Sequence, residues 1–372
     1  MNKKKIFNDP VYGLIRFPFE SIYMLIDHPY FQRLRRISQQ ALSHYVYPGA
    51  LHTRFHHALG ATHLMVNAIE TLKAKDVDIS DQEYEAVCIA ILLHDVGHGP
   101  FSHALEHILT SAHHEKLSLI IMQKMIKETG LDFTKVFDIF ADTYHRPFLH
   151  QLVSGQVDTD RMDYLTRDSF YSGVAEGIIG YDRIITMMDV ANDQLVIEEK
   201  GIYSIEKFLM ARQLMYWQVY LHKTVISAEM MLIAILKRAR YLTHQGYDLA
   251  VSPALSYFLN LDINDGTALS DDQFLKHYVL LDDVDIMWLI KQSTHHEDFV
   301  FRTLCDNLIN RKLLKVKSGD SEENRHYFES QKEKFMLRYH LTQEEASYFF
   351  HIKTEKIRSY EFGQDEIKIL LK

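Results

Sequence analysis

The chain has 372 residues, 47% hydrophobic and 24% charged, with only 7 Pro and 15 Gly, a composition that excludes a disordered or turn-dense all-β chain and suits a mostly helical protein with a large core. A formal net charge of −9 excludes a broad basic face for nucleic acid, while leaving room for a local cationic pocket that takes a phosphorylated small molecule. Two cysteines, Cys88 and Cys305, are too few for a disulfide framework, and no uncharged stretch approaches the ~18 residues of a membrane span, so the expectation is a protein of the reducing cytoplasm with no membrane partner.

Apolar side chains recur at helical spacing over 17–37, 55–74 and 82–95, and again over 114–129, 148–168, 204–242 and 328–351. The segment "DQLVIEEKGIYSI" at 193–205 reads as two short strands around the turn "EKG". The fold class is therefore all-α with a small β-hairpin near 193–205. No fixed-period repeat or Pro/Gly-rich linker marks a boundary; the division expected is a helical core over 1–240 and a more charged helical region over 241–372. Within the latter, "SGDSEENRHYFESQKEKF" at 318–335 reads as a loop and a solvated helix.

The histidines are unevenly placed: 11 of the 22 fall between His44 and His114, where an even spread gives about four. A single histidine is most often a solvated helix-face residue, so position separates the candidates. His94 and Asp95 follow the apolar run "AVCIAILL", where a buried helix emerges, and His98 lies four residues on, over the same face if the helix continues. Adjacent His and Asp side chains point about 100° apart on a helix, so an ion between them needs ligands from other segments. Two stretches are capable: "TRFHHALG", with His56 and His57, and "VDTDRMDYLTRD", with Asp158, Asp160, Asp163 and Asp168. Nitrogen with carboxylate suits Mn, Fe, Ni, Co or Zn better than Ca or Mg. Other chemistries fail on their motifs: "GHG" lacks the dinucleotide fingerprint, no phosphate-binding G-x-x-x-x-G-K-[ST] occurs, "HHEKL" is not H-E-x-x-H, and "DTDRMD" lacks the Gly and Glu of a calcium loop.

The order H…HD…D resembles the HD-domain metal-dependent phosphohydrolases. More specifically "FQRLRRI", "YPGALHTRFHHALG", "HDVGHGPFSHALEH", "HHEKLS" and "VDTDRMDYLTRD" resemble, in that order, the deoxynucleoside triphosphate hydrolase branch that includes the sterile-alpha-motif/HD enzymes. The likeness spans about residues 6–240, and no sterile-alpha-motif domain is visible ahead of it.

That resemblance implies His57, His94, Asp95 and Asp160 as ligands of one divalent transition ion, His57 being preferred to His56 by the motif "RF-x-H". It implies that His98, His103 and His114 line the phosphates as proton donors or transition-state contacts, and that Glu106, standing where relatives often carry Asp, orients an imidazole. Arg54, Arg161, Arg212 and Lys223 would grip phosphate oxygens, with Mg accompanying the nucleotide phosphates. Tyr164 and Asp168 would abut the sugar, Gln39 and Gln40 would meet the base, and Tyr216 and Tyr220 would share a helical face with Arg212 and Lys223, Tyr216 standing where relatives often have His. Asp27, Gln32 and Arg35 match positions that read an activating nucleotide between subunits, so a homo-oligomer is expected. The activity implied is hydrolysis of a deoxynucleoside triphosphate to deoxynucleoside and inorganic triphosphate. The rivals are an HD phosphatase or phosphodiesterase acting on a monophosphate, cyclic or alarmone nucleotide, and a catalytically idle nucleotide-binding regulator.

Overall fold

A computed structural model describes residues 5–261, 272–354 and 366–371; the first four residues of the basic start and parts of the region beyond 240 lie outside that set. The chain opens on an antiparallel pair, β1 (Phe7–Asp9) and β2 (Gly13–Ile15), followed by α1 (Glu20–Asp27) and the short α2 (Pro29–Gln32). The spacing predicts one helix over 17–37, but Pro29 disfavours a helical residue before it, and His28 is extended with φ −65° and ψ 136°.

Helices α3 (Arg54–Ala74) and α4 (Asp81–Leu93) stand where the apolar spacing puts them. Thr53 and His56 cap α3 reciprocally, and Ser80 and Glu83 do the same for α4. Then come α5 (His114–Thr129), α6 (Thr134–Phe140), α7 (Pro147–Val153) and α8 (Thr159–Ser172). The run 148–168 is thus two helices rather than one. Asp158 ends the intervening loop and accepts from the backbone N–H of Arg161 at 2.6 Å, which starts α8 afresh. From Ala86 on, α4 is apolar all round and is buried, and the helix packs on α3, α6 and α7.

After α9 (Tyr181–Thr186) the expected hairpin is present, but earlier in the chain: β3 (Met188–Ala191) and β4 (Gln194–Glu198) flank Asn192–Asp193, whose φ angles of 52° and 55° give the left-handed turn that such residues tolerate. "EKG" instead leads into α10 (Ile202–Met215), with Gly201 so close to Ile197 that an added Cβ would lie 2.6 Å from Cγ2. The predicted helix over 204–242 is also interrupted: α10 runs on into a π-turn at Tyr216–Tyr220, and the chain then breaks at Leu221–His222, His222 being extended at ψ 123°, before α11 (Lys223–His244).

The remainder is α12 (Pro253–Asn260), α13 (Asp272–Tyr278), α14 (Asp283–Gln292), α15 (Phe299–Ile309), α16 (Glu322–Tyr339), α17 (Gln343–Ser347) and β5 (Lys368–Leu370), which joins β4 in parallel. Helix α16 has no buried residue, as its charge pattern predicts, and His340, left-handed at φ 55°, separates it from α17 within the expected 328–351. Helix α11 crosses position 240 without a break, and one apolar cluster joins Ile15 to Phe349 across it. Among the described residues no single helix is long and apolar enough to cross a membrane.

Candidate functional site

The N-terminus of α3, the C-terminus of α4 and the first turn of α8 meet at one end of a cavity of 1040 Å³. The Nε2 atoms of His57 and His94 are 3.4 Å apart, and Asp160 Oδ1 lies 3.0 Å from the first and 3.5 Å from the second. Asp95 closes the group, with Oδ2 3.6 Å from His57 Nε2 and Oδ1 3.3 Å from His94 Nε2. Two ligands bound about 2.1 Å from one ion at right angles are about 3 Å apart, so these separations fit a shared transition-metal ion.

The tautomers fit as well. His57 Nδ1–H donates to Asp163 at 2.7 Å and His94 Nδ1–H donates to the Ile91 carbonyl at 2.6 Å; neither acceptor carries a proton, so both rings keep Nε2 for the centre of the cluster. Asp163 is fixed in turn by two 3.0 Å bonds from Arg167, which also donates to Asp9 at 2.8 Å. Burial opposes charging of His57, yet the carboxylates of Asp160 and Asp163 lift its pKa to about 10. Burial likewise opposes ionisation of Asp160 and Asp95, but His57 and His94 hold Asp160, and Arg54 with His94 holds Asp95, below the ordinary carboxylate range. Electrostatically the pocket calls for a cation at its centre.

His56 points elsewhere, its Nδ1 lying 3.2 Å from the Thr53 backbone nitrogen at the start of α3, so the choice between the adjacent histidines falls to His57 on geometry. Arg54 donates to Asp95, and to Ser102 Oγ at 2.6 Å. His98 is not on a continued helix, because α4 ends at Leu93; it sits in the following loop, 3.3 Å from Asp95, with burial and then Arg54 driving its pKa well down.

His98, His103 and His114 nevertheless form one cluster. The rings of His98 and His114 stack at 3.9 Å, and His103 lies 4.7 Å and 5.2 Å from them. Glu106 binds two of the three: its Oε2 accepts from His103 Nδ1 at 3.0 Å and its Oε1 from His114 Nδ1 at 2.7 Å. Burial opposes its ionisation, but these imidazoles and the His114 backbone N–H outweigh it, keeping the carboxyl below its usual range. The longer Glu in place of Asp thus spans a pair of rings rather than one.

Gln39, Gln40, Tyr164, Asp168, Tyr216 and Tyr220 line the same cavity. Both amide atoms of Gln40, only 8% exposed, lack a protein partner. Asp168 accepts from His52 and from Tyr220, each at 2.7 Å. Arg161, Arg212 and Lys223 do not line the cavity: Arg161 is engaged by Asp158 and the Gly155 carbonyl, Arg212 donates to Gln156 at 3.3 Å, and Lys223 is exposed at the start of α11, on a helix bent by 56° from that of Tyr216 and Tyr220 by the break at Leu221–His222. Lys116 and Lys353 line it instead, and neither stands out in the sequence. Asp27, Gln32 and Arg35 lie outside the cavity; Asp27 pairs with Lys5, and Arg35 donates to Gln32 at 2.8 Å and covers Phe55 at 3.6 Å.

A helical fold that gathers His, His-Asp and Asp at the junction of three helices beside an imidazole cluster defines a metal-binding hydrolase of the HD class. The HD domain family model matches residues 54–168, and a model described as HD associated region matches 179–247. The chain is 35% identical over 336 residues to the uncharacterised protein YwfO of Bacillus subtilis, covering 88% of this chain and 76% of that one. It is 34% identical over 248 residues to the deoxynucleoside triphosphate triphosphohydrolase SAMHD1 homolog of Dictyostelium discoideum, covering 61% of this chain and 48% of that one. A crystal structure of a phosphohydrolase from Bacteroides thetaiotaomicron superposes with a TM-score of 0.94 at 49% identity, covering 100% of this chain and 92% of that one. The chain belongs to the HD-domain phosphohydrolases.

Proposed function

We propose that this phosphohydrolase cleaves deoxynucleoside triphosphates to deoxynucleoside and inorganic triphosphate. The observation that carries the reading is that the ligand cluster of His57, His94, Asp95 and Asp160, the three-imidazole cluster and the pair Tyr164 and Asp168 all open into one cavity. Similarity to a deoxynucleoside triphosphate triphosphohydrolase of Dictyostelium supports the substrate class.

Mn, Fe, Ni, Co or Zn held by those four ligands supplies Lewis-acid polarisation of phosphorus and a water of lowered pKa. The other residues then divide the work. Glu106 keeps His103 and His114 bonded at Nδ1, leaving Nε2 of each to face phosphate or to pass a proton to the departing 5′ oxygen. Arg54, held beside the ligands by Ser102 and Asp95, supplies fixed positive charge. Arg161 and Arg212 reach phosphate only by leaving their present partners and Lys223 only by turning in from its exposed position, whereas Lys116 and Lys353 already line the wall. Tyr164 packs against the sugar where a 2′-hydroxyl would project, and each Asp168 oxygen retains a lone pair for a 3′-hydroxyl beyond its bonds to His52 and Tyr220. Gln39 and Gln40 meet the base, Mg accompanies the phosphates, and Asp27, Gln32 and Arg35 serve an activating nucleotide in a homo-oligomer.

The test is depletion of each deoxynucleoside triphosphate, singly and as a mixture, by the purified chain with Mn²⁺, with ribonucleoside triphosphates as controls. Loss of the deoxy forms alone is expected, and loss only in the mixture identifies an activator. Cleavage of a monophosphate or cyclic nucleotide, with every triphosphate untouched, overturns the substrate assignment.

A further inference from the structure

The loop that carries His98 has little structure of its own. Between the end of α4 and the short turn at Ser102–Ala104 the backbone makes four scattered local bonds, from Val96 N to Leu93 O at 3.0 Å and, each at 3.1 Å, from His98 N to Asp95 O, Ser102 N to Gly99 O and Ala104 N to Phe101 O. Phe101 and Ser102 both sit in the left-handed region, at φ 53° and 52°, where side chains with a Cβ are rare and persist only if the surroundings hold them. Buried backbone groups need partners, and here they come from side chains distant in sequence.

Ser118 on α5 receives the Gly97 N–H at 2.9 Å and donates to the His94 carbonyl at 2.8 Å. The other supports converge with the segment after residue 272. Tyr278 donates its hydroxyl to the Gly97 carbonyl at 2.7 Å. Asp283 accepts from the backbone N–H of Phe101 at 2.7 Å through one oxygen and from that of Ser38 at 2.8 Å through the other. Arg33, 1% exposed, joins the two sides: it donates to the carbonyls of Val96 at 3.1 Å, His98 at 2.7 Å and Leu281 at 3.1 Å, with its guanidinium 5.2 Å from the Tyr278 ring centroid.

From this juxtaposition we infer that α13 and the start of α14 form a buttress of the catalytic loop, in which Tyr278 and Asp283 are positioning residues that, with Arg33, set His98 and His103 against the substrate. None of the three lines the cavity, so they act through the loop and not by contact. The region beyond residue 240 thereby acquires a role: it completes the imidazole side of the site. The inference rests on the reading that this cavity performs hydrolysis, and its test separates the two.

The variants are Tyr278→Phe and Asp283→Asn, in the full chain, each removing hydrogen-bonding capacity with little change of volume. Three quantities are measured: kcat and KM for deoxynucleoside triphosphate hydrolysis, Mn²⁺ affinity by calorimetry, and amide hydrogen exchange. The expected result is a kcat lower by about tenfold or more, since small displacements of reacting groups cost that much, with KM within about twofold and Mn²⁺ affinity within about threefold. Exchange should quicken over 96–104, most sharply at Phe101 in Asp283→Asn, while α3 and α8 stay protected. Unchanged kcat and unchanged protection over 96–104 in both variants overturn the inference. So does a general loss of protection accompanied by loss of metal, which is the signature of plain destabilisation. If the wild type hydrolyses no deoxynucleoside triphosphate, the substrate reading falls alone, and exchange over 96–104 decides whether the buttress holds the loop.

Discussion

The two halves of the site are built differently. His57, His94, Asp95 and Asp160 sit at or next to the ends of α3, α4 and α8, and the ring of His57 is braced from behind by Asp163, Arg167 and Asp9. His98, His103 and Glu106 instead lie on irregular chain between α4 and α5, with His114 at the first turn of α5, and depend on one another and on residues far away in sequence. The proposed ligand side is therefore held by regular elements and the ion pairs behind them, whereas the imidazole side is held by contacts from distant segments. The difference predicts that substitutions on the first side act on metal retention and those on the second on turnover.

The largest effect is expected for Asp160→Ala, which removes an oxygen placed between two imidazoles. Bound Mn²⁺ should fall to background by elemental analysis, and hydrolysis should drop by more than about 10³-fold, beyond the loss of one transition-state donor. Full activity with added metal would place the ion elsewhere. Asp163→Asn comes next: the amide competes for the His57 tautomer and weakens the Arg167 bonds, so Mn²⁺ affinity should fall about 10–100-fold in a calorimetric titration.

Glu106→Gln should reverse that profile, lowering kcat by about 10–100-fold while Mn²⁺ affinity is retained. Because the folded chain holds Glu106 below its ordinary pKa, its contribution to stability is present above about pH 4.3 and lost as pH falls through the folded value. The melting-temperature gap between wild type and Glu106→Gln should accordingly be wide at pH 7 and narrow on acidification. A pH-independent gap would mean that Glu106 stabilises by packing alone. The smallest effect is assigned to His56→Ala, which loses a helix cap and costs about 1 kcal/mol, with metal affinity untouched. Loss of metal in that variant would reopen the choice between His56 and His57.

The contrast also explains what the sequence could tell. Of the proposed metal side, the apolar run stopping at His94 and the Asp-rich stretch that opens α8 were legible locally, whereas the set of His57, His94, Asp95 and Asp160 came from the resemblance. Even so, Asp163 was visible only as one of four capable carboxylates, since nothing local says which oxygen meets His57. The interruptions at 154–158 and at Leu221–His222, the second preceded by the π-turn, were invisible to apolar periodicity, which runs straight through both, and with the second went the expected common face of Arg212 and Lys223. Arg33, Tyr278 and Asp283 leave no local mark either, because their partners are backbone groups distant in sequence, Gly97 lying 181 residues from Tyr278.

The central claim is met most directly by ³¹P spectroscopy of the phosphorus released when the Mn²⁺-loaded chain acts on a deoxynucleoside triphosphate. Inorganic triphosphate appearing in step with free deoxynucleoside is the predicted result. Orthophosphate or pyrophosphate as the first product, with a nucleotide left behind, would contradict it.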